Sequence, residues 1–250
     1  MPKQMILSAP EALEKKILKL YPTLDEYTAF VLEAKDKVGW PDWCYLPMSA
    51  SFALVTNGAE PPFAQMYMQN AGYGEMLSLS AIIPWRLHKP VYRFDKSVLT
   101  DSGELPVLSG SLLHRMPYPG IYFENSFGID GCCGVFIFLE WDAKDPEITE
   151  LRAHYLFADG EIIPIYHKWT DVEDQLLNVY ALSRLKEELP GDSPLTLQRF
   201  QDCLIKFAGT ISILSRICSG DASIESQTPA PSRRGKTIKT ASYPQIFYIR

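Results

Sequence analysis

The sequence predicts an α+β fold: an antiparallel sheet of about four to five strands covered by helices, with a helical region on its N-terminal side. Three observations carry this. Residues 116–169 hold four β-rich runs, "PGIYFENSF", "GVFIFLEWD", "ITELRAHYLFAD" and "EIIPIYHKW", separated by short turn-forming stretches. The first forty residues and the stretch from 171 to 219 carry the apolar spacing of helices instead. The composition, 46% hydrophobic and 12% aromatic over 250 residues, is enough for a substantial core in one large domain.

In chain order, Ser8-x-x-Glu11 ahead of "ALEKKILKL" is a capping-box pattern, with Pro10 in the first turn, where a missing N–H is tolerated. Thr23-x-x-Glu26 repeats the device before "YTAFVLEAKDKVG", and Gly39 supplies the stop. In "WPDWCYLPMSASFALV", Pro41 and Pro47 exclude one long helix and predict an extended, buried segment followed by a short helix. A further helix runs from Glu75 towards Trp85, interrupted or ended near Pro84, and "KPVYRFD" reads as a short strand.

Asp159-Gly160 lies between two β-rich runs and predicts a two-residue hairpin turn with both positions at positive φ. Strands joined by such short links are antiparallel. Pairing Ala158 with Glu161 then sets Arg152 opposite His167 and His154 opposite Ile165. Arg152, His154 and His167 share one face in this register, and Leu151, Tyr155 and Ile162 take the other.

Asp171 caps "VEDQLLNVYALSRLKEEL", which Pro190-Gly191 ends. The next helix carries Leu197, Phe200, Leu204, Phe207, Ile211, Leu214 and Cys218 at alternating spacings of three and four. Such a stripe fits a helix packed on the sheet or a short dimerising coiled coil; its brevity and Gly209 favour the sheet. Residues 221–242 are polar, with Pro229 and Pro231, and "YPQIFYIR" returns to strand composition. The domain reading is therefore one compact unit over 1–220, helical over 1–115 and sheet plus helices over 116–220. A basic polar linker over 221–242 and a strand over 243–250 that packs back on the sheet complete it.

Charge separates the tail from the rest. The chain has 24 basic and 30 acidic residues, yet its last twenty residues hold Arg233, Arg234, Lys236, Lys239 and Arg250 and no acid. An acidic body argues against a surface that coats nucleic acid throughout, and leaves one local basic element that suits a phosphate-rich partner such as RNA. Arg233, Arg234, Lys236 and Lys239 are the candidate RNA or partner contacts; the competing reading is that they neutralise acidic helices of the same chain. Five cysteines with no framework spacing, no apolar leader in "MPKQMILSAPEALEKK" and no membrane-length apolar run predict a cytoplasmic protein.

Catalytic signatures are scarce. "RRGKT" has Ala230 where a phosphate loop needs its first glycine, and "GIDGCCG" lies between two strands. No Gly-x-Ser-x-Gly or His-Glu-x-x-His pattern occurs, no cysteine spacing suits zinc, and no cofactor is predicted. One enzymatic alternative stands: a small hydrolase using Cys132 or Cys133 with His154 or His167. Arg152, His154 and His167 would form its site face; the blander alternative is a partly solvated face with cysteines filling space.

Several blocks, in order, resemble a known family. They are the N-terminal helix into "WPDWCYLPMSASFALV", then "IIPWRLHKPVYRFDKSVL", "MPYPGIYFEN", "GVFIFLEWD", "LIKFAGTISILSRIC", and a basic linker into "YPQIFYIR". The set is similar to the phage- and plasmid-borne anti-CRISPR proteins that lower production of the type V-A effector nuclease. The resemblance implies a non-enzymatic protein of a mobile genetic element, acting in the cytoplasm of a bacterial host. Its implied partner is the N-terminus of a target polypeptide, met as a nascent chain, near ribosome or mRNA, so that the message is lost. The family's longer members continue into a tail rich in arginine, histidine and tryptophan, whereas this chain stops at Arg250. A plain regulatory or scaffold protein of the element is the remaining alternative.

Overall fold

The computed structural model describes residues 7–249 apart from 95–97, 99–109, 126, 142–143, 147, 171–193, 222 and 227–239. The helix read over 172–189 lies outside the described residues, as do Arg233, Arg234, Lys236 and Lys239.

The N-terminal helices are α1 (Ala9–Leu20), α2 (Leu24–Glu33), α3 (Lys35–Val38), α4 (Met48–Thr56), α5 (Pro61–Tyr67) and α6 (Tyr73–Arg86). A π turn over Met68–Gly72 joins α5 to α6. Glu11 caps α1: its carboxylate accepts from the Ser8 N–H at 3.0 Å and the Ser8 hydroxyl at 2.6 Å. Thr23 is the N-cap of α2 without using its side chain, and Gly39 ends α3 at φ 85°. Trp40, Cys44 and Leu46 are buried in the link before α4, but the link is a turn and a bend rather than the expected extended segment, with the Cys44 N–H donating to Pro41 O at 3.1 Å. The short helix after Pro47 is present. Pro84 does not end α6, which runs on to Arg86. A proline this near the end removes one hydrogen bond of the last turns, and burial of every residue from Met76 to Arg86 holds the helix together regardless.

The strands are β1 (Pro90–Phe94), β2 (Gly120–Phe123), β3 (Cys132–Trp141), β4 (Ile148–Phe157), β5 (Ile162–Thr170), β6 (Ile224–Ser226) and β7 (Gln245–Ile249). Short α7 (Gly110–Leu113) precedes β2, and the 26-residue α8 (Pro194–Ser219) follows β5. Among the described residues one sheet contains all seven strands, in the order β5-β4-β3-β2-β1-β7-β6. This corrects the expected antiparallel sheet of four to five strands. The sheet is mixed, because β1 pairs in parallel with both β2 and β7. The antiparallel block β2-β3-β4-β5 is present as expected from its short connections. The parallel half is built from strands distant in sequence, whose partners no local pattern specifies. β6 falls within the segment read as linker and pairs with β7.

Helices cover both faces. Val135, Ile137 and Leu139 of β3, with Leu151, Ala153 and Tyr155 of β4, face Phe207, Ile211 and Leu214 of α8. Tyr122, Phe136 and Phe138 face Leu77, Ile82 and Trp85 of α6, with Leu13 and Ile17 of α1 behind. Burial on both faces explains why "GVFIFLEW" is continuously apolar rather than alternating. On α8 the apolar stripe holds for Phe200, Phe207, Ile211, Leu214 and Cys218, but Leu197 is 40% exposed and Leu204 only partly buried. A stripe of period 3.5 drifts by about 20° per heptad on a helix of period 3.6, so its first members leave the sheet. Cys203, Thr210, Ile213 and Ile217 fill the face instead.

The β4–β5 hairpin differs from expectation by one residue. Leu156 pairs with Ile162 and Leu151 with His167, leaving Ala158, Asp159 and Gly160 as a three-residue loop. Gly160 N–H donates to Phe157 O at 2.9 Å and Phe157 N–H to Glu161 O at 2.9 Å. Gly160 alone in the loop has positive φ, at 87°; Ala158 and Asp159 do not. A two-residue type I′ turn needs two such residues, whereas a type I turn followed by one left-handed glycine needs one. Arg152 therefore lies opposite Tyr166, His154 opposite Pro164, and Ile162 shares the face of Leu156.

At the start of β3 a bulge makes Cys133 the extra residue between the pairs Cys132–Phe157 and Gly134–Leu156. A Cβ on Gly134 would lie 2.2 Å from Phe123 O and 2.4 Å from Tyr122 Oη. Gly134→Ala is therefore expected to cost about 1–3 kcal/mol through overpacking between β2 and β3. Urea unfolding should show a lower midpoint; an unchanged midpoint would contradict this close approach.

Candidate functional site

The structure separates the groups that the sequence offered as a catalytic pair. Cys132 is buried on the α8 face, where its thiol donates to Gly134 O at 3.6 Å. Burial pushes that thiol up to about 11. Cys133 is half-buried, and burial followed by the charge of Asp159 raises it too. A cysteine nucleophile needs the opposite shift. His154 sits on the α6 face, fully buried, its Nδ1–H donating to Leu77 O at 3.1 Å and its ring edge-on to Phe138. His167 takes the other face, opposite Leu151, because of the one-residue difference in register. It stands six residues along the sheet from the Cys132–Phe157 pair, about 20 Å at strand rise. Arg152 and His154 are thus neighbours on one face; His167 is not with them. Among the described residues no group of three or more His, Cys, Asp or Glu converges as metal ligands.

Arg152 leads to a site of another kind. Its Nη2 pairs with Glu150 at 2.5 Å, and its guanidinium covers the Tyr166 ring at 4.6 Å. Glu150 lies directly opposite Glu140 of β3, and both are buried. Both oxygens of Glu140 accept from the Met48 N–H at 2.9 Å, so this carboxylate caps the first turn of α4, where a negative charge is favoured. These three charged side chains form the floor of a groove of about 540 Å³. Its walls come from α2 (Phe30, Val31), Ala34 at the junction with α3, Val38 of α3, Trp40 and α4 (Met48, Ala50, Ala53). The Tyr27 hydroxyl donates to Ala50 O at 2.7 Å and ties α2 to α4; burial raises that phenol.

Phe30 is 71% exposed and Val38 57%, although neighbouring Leu24 is wholly buried. The sequence reading missed this groove. Tyr27, Phe30, Val31, Ala34 and Val38 recur at helical spacing and read as an ordinary core face. The available signal was a surplus: α2 also carries Leu24 and Thr28, which are the residues that meet the core. A second hollow of about 390 Å³ lies beyond β3, where Trp43 stacks on His114 at 4.9 Å.

No described helix is long and apolar enough to cross a membrane. No protein-family model matches the chain, and no curated protein does. Among solved structures, the chain is similar to a crystal structure of AcrVA2, an anti-CRISPR protein, with a TM-score of 0.63. The match has 17% sequence identity and covers 96% of this chain and 82% of that chain. At that identity the likeness is one of fold.

Proposed function

We propose that this chain is a non-enzymatic, anti-CRISPR-like protein of a mobile genetic element. It acts in the bacterial cytoplasm by binding a segment of its target polypeptide and lowering that target's expression. The observation that carries the reading is the fold likeness to AcrVA2 over 96% of the chain. The groove between α2, α4 and the β3–β4 floor supports it. A trough with exposed aromatic and aliphatic walls over a floor of a few charged groups is the kind of surface that takes a polypeptide. The target segment is the N-terminus of a type V-A effector nuclease, met during synthesis, and the four basic residues Arg233, Arg234, Lys236 and Lys239 lie near ribosomal or messenger RNA.

Co-expression with such a nuclease in a bacterial host tests this, with nuclease protein and message both quantified. Both should fall, and should recover when the nuclease's N-terminal codons are replaced. Unchanged levels would sink the proposal. For the basic residues, RNA binding by wild type and by a variant with all four neutralised is compared across salt concentrations. The wild type should show the steeper slope; equal slopes would return these residues to an internal role.

The cysteine hydrolase alternative makes a contrary prediction. With every described thiol raised by burial, native protein at neutral pH should react with iodoacetamide slowly, and first at half-buried Cys133. Fast alkylation of Cys132 in the folded protein would revive that alternative.

A further inference from the structure

We infer that the groove recognises the main-chain carbonyl oxygens of an extended, apolar and uncharged polypeptide segment, through the indole N–H of Trp40 and the Nε–H of Arg152. This rests on the reading of the groove as a polypeptide site and adds which groups recognise the chain. Trp40 is only 5% exposed, and its Nε1 has no acceptor among the described residues. Arg152 Nε has none either, while its Nη2 is held by Glu150. A buried donor left without an acceptor costs about 1–3 kcal/mol. Their two residues line the same groove, so an occupant that supplies acceptors to them gains more than its apolar contacts.

The charge of those acceptors follows from the floor. Glu140 and Glu150 face each other across β3 and β4, 6% and 5% exposed. Arg152 offsets only one of the two, so a carboxylate or phosphate seated beside them would add to an uncompensated negative charge in a poorly solvated place, at a cost of several kcal/mol in order of magnitude. The acceptors are therefore neutral. An extended chain offers neutral carbonyls in series, whereas those inside a helix are already bonded to its own N–H groups. Both donor nitrogens are closed off in the free chain, so a segment reaches them only where side chains lining the groove shift as it seats.

The probe is an array of short, end-capped peptides graded from acidic through neutral to basic, applied to the full chain. The best binder is then measured in solution by fluorescence anisotropy. Neutral apolar sequences should lead. Trp40→Phe, which keeps a ring and removes the donor, should weaken binding about tenfold, as should Arg152→Lys, which keeps the partner of Glu150 and removes Nε–H. Replacing peptide amides one at a time by esters, whose carbonyls accept more weakly, should hurt at one position that ceases to matter in Trp40→Phe. Phe30→Ala, at an exposed rim position, should weaken binding without lowering the melting temperature. Preference for acidic peptides overturns the inference. So does wild-type affinity in both donor variants, or an array with no binder. Loss of the nuclease in cells with no peptide bound would leave the proposed function standing and this inference refuted. Peptide binding as described with nuclease levels unchanged would do the reverse.

Discussion

Replacing Glu14 with alanine is expected to destabilise the chain by about 3–5 kcal/mol. Glu14 lies on α1, buried, with Oε1 at 3.3 Å from Arg86 Nε and Oε2 at 2.6 Å from Lys89 Nζ. Both cations are themselves nearly closed to solvent, with side chains 6% and 10% exposed. Asp25 of α2 also meets Arg86, at 2.7 Å, but is 68% exposed and adds the modest energy of a surface pair. Glu14 is thus the one buried carboxylate between two buried cations among the described residues. Without it their desolvation is no longer offset. The loss would reach beyond one helix. Arg86 ends α6, and Lys89, at φ 50°, leads into β1 and accepts the Gln245 N–H of β7 through its carbonyl at 2.9 Å. Urea unfolding of Glu14→Ala measures the cost. Glu14→Leu combined with Arg86→Met and Lys89→Met should recover much of it, because an apolar replacement of the whole cluster removes the unpaired charges. A single-variant cost under about 1 kcal/mol would mean that solvent reaches these cations.

The second large effect is loss of stability in acid, driven by His154. Burial, then the neighbouring Arg152 charge, depress this imidazole from 6.5 to about 3, against a smaller opposing effect of the Leu77 hydrogen bond. Above pH 6.5 the ring is neutral in both the folded and the unfolded chain, and its contribution is fully present. As pH falls below 6.5 the unfolded chain binds a proton that the folded chain refuses, so stability drops by close to 1.4 kcal/mol per pH unit. The drop continues until the folded ring protonates near 3 and totals on the order of 4–5 kcal/mol. Chemical unfolding of wild type and His154→Gln between pH 7.5 and 4.5 isolates this ring from the carboxylates that titrate lower. The variant should lose a slope of about one proton. Identical slopes would show that the ring gains a proton without unfolding.

Both effects arise from groups that the sequence could not place. His154 was readable as a strand residue, but its depth comes from α6 lying across β3 and β4, a packing of elements some seventy residues apart. Glu14 was legible as a charge on an amphipathic helix and gave no sign that two cations far along the chain would close over it. The groove is the same kind of case. Phe30 and Val38 belong to an ordinary helical stripe until the fold shows that α4 and the β3–β4 floor leave them a trough rather than a core.

The sequence by itself determined what depends on near neighbours along the chain. The Ser8–Glu11 cap, the stop at Gly39, the prolines around the Trp40–Pro47 link and the β2-β3-β4-β5 run all rest on capping, turn chemistry and period, which act over a few residues. The missing catalytic motifs belong with them. Only the tertiary structure decided which distant strands became partners, so that β1 sits in parallel between β2 and β7 and the sheet is mixed. It also decided the β4–β5 register, where one residue more in the loop carries His167 to the opposite face from His154. Local pattern states that a segment is extended and which of its residues are apolar. Partner, register and face are chosen by the burial available when whole layers meet, and that quantity is absent from any short stretch of sequence.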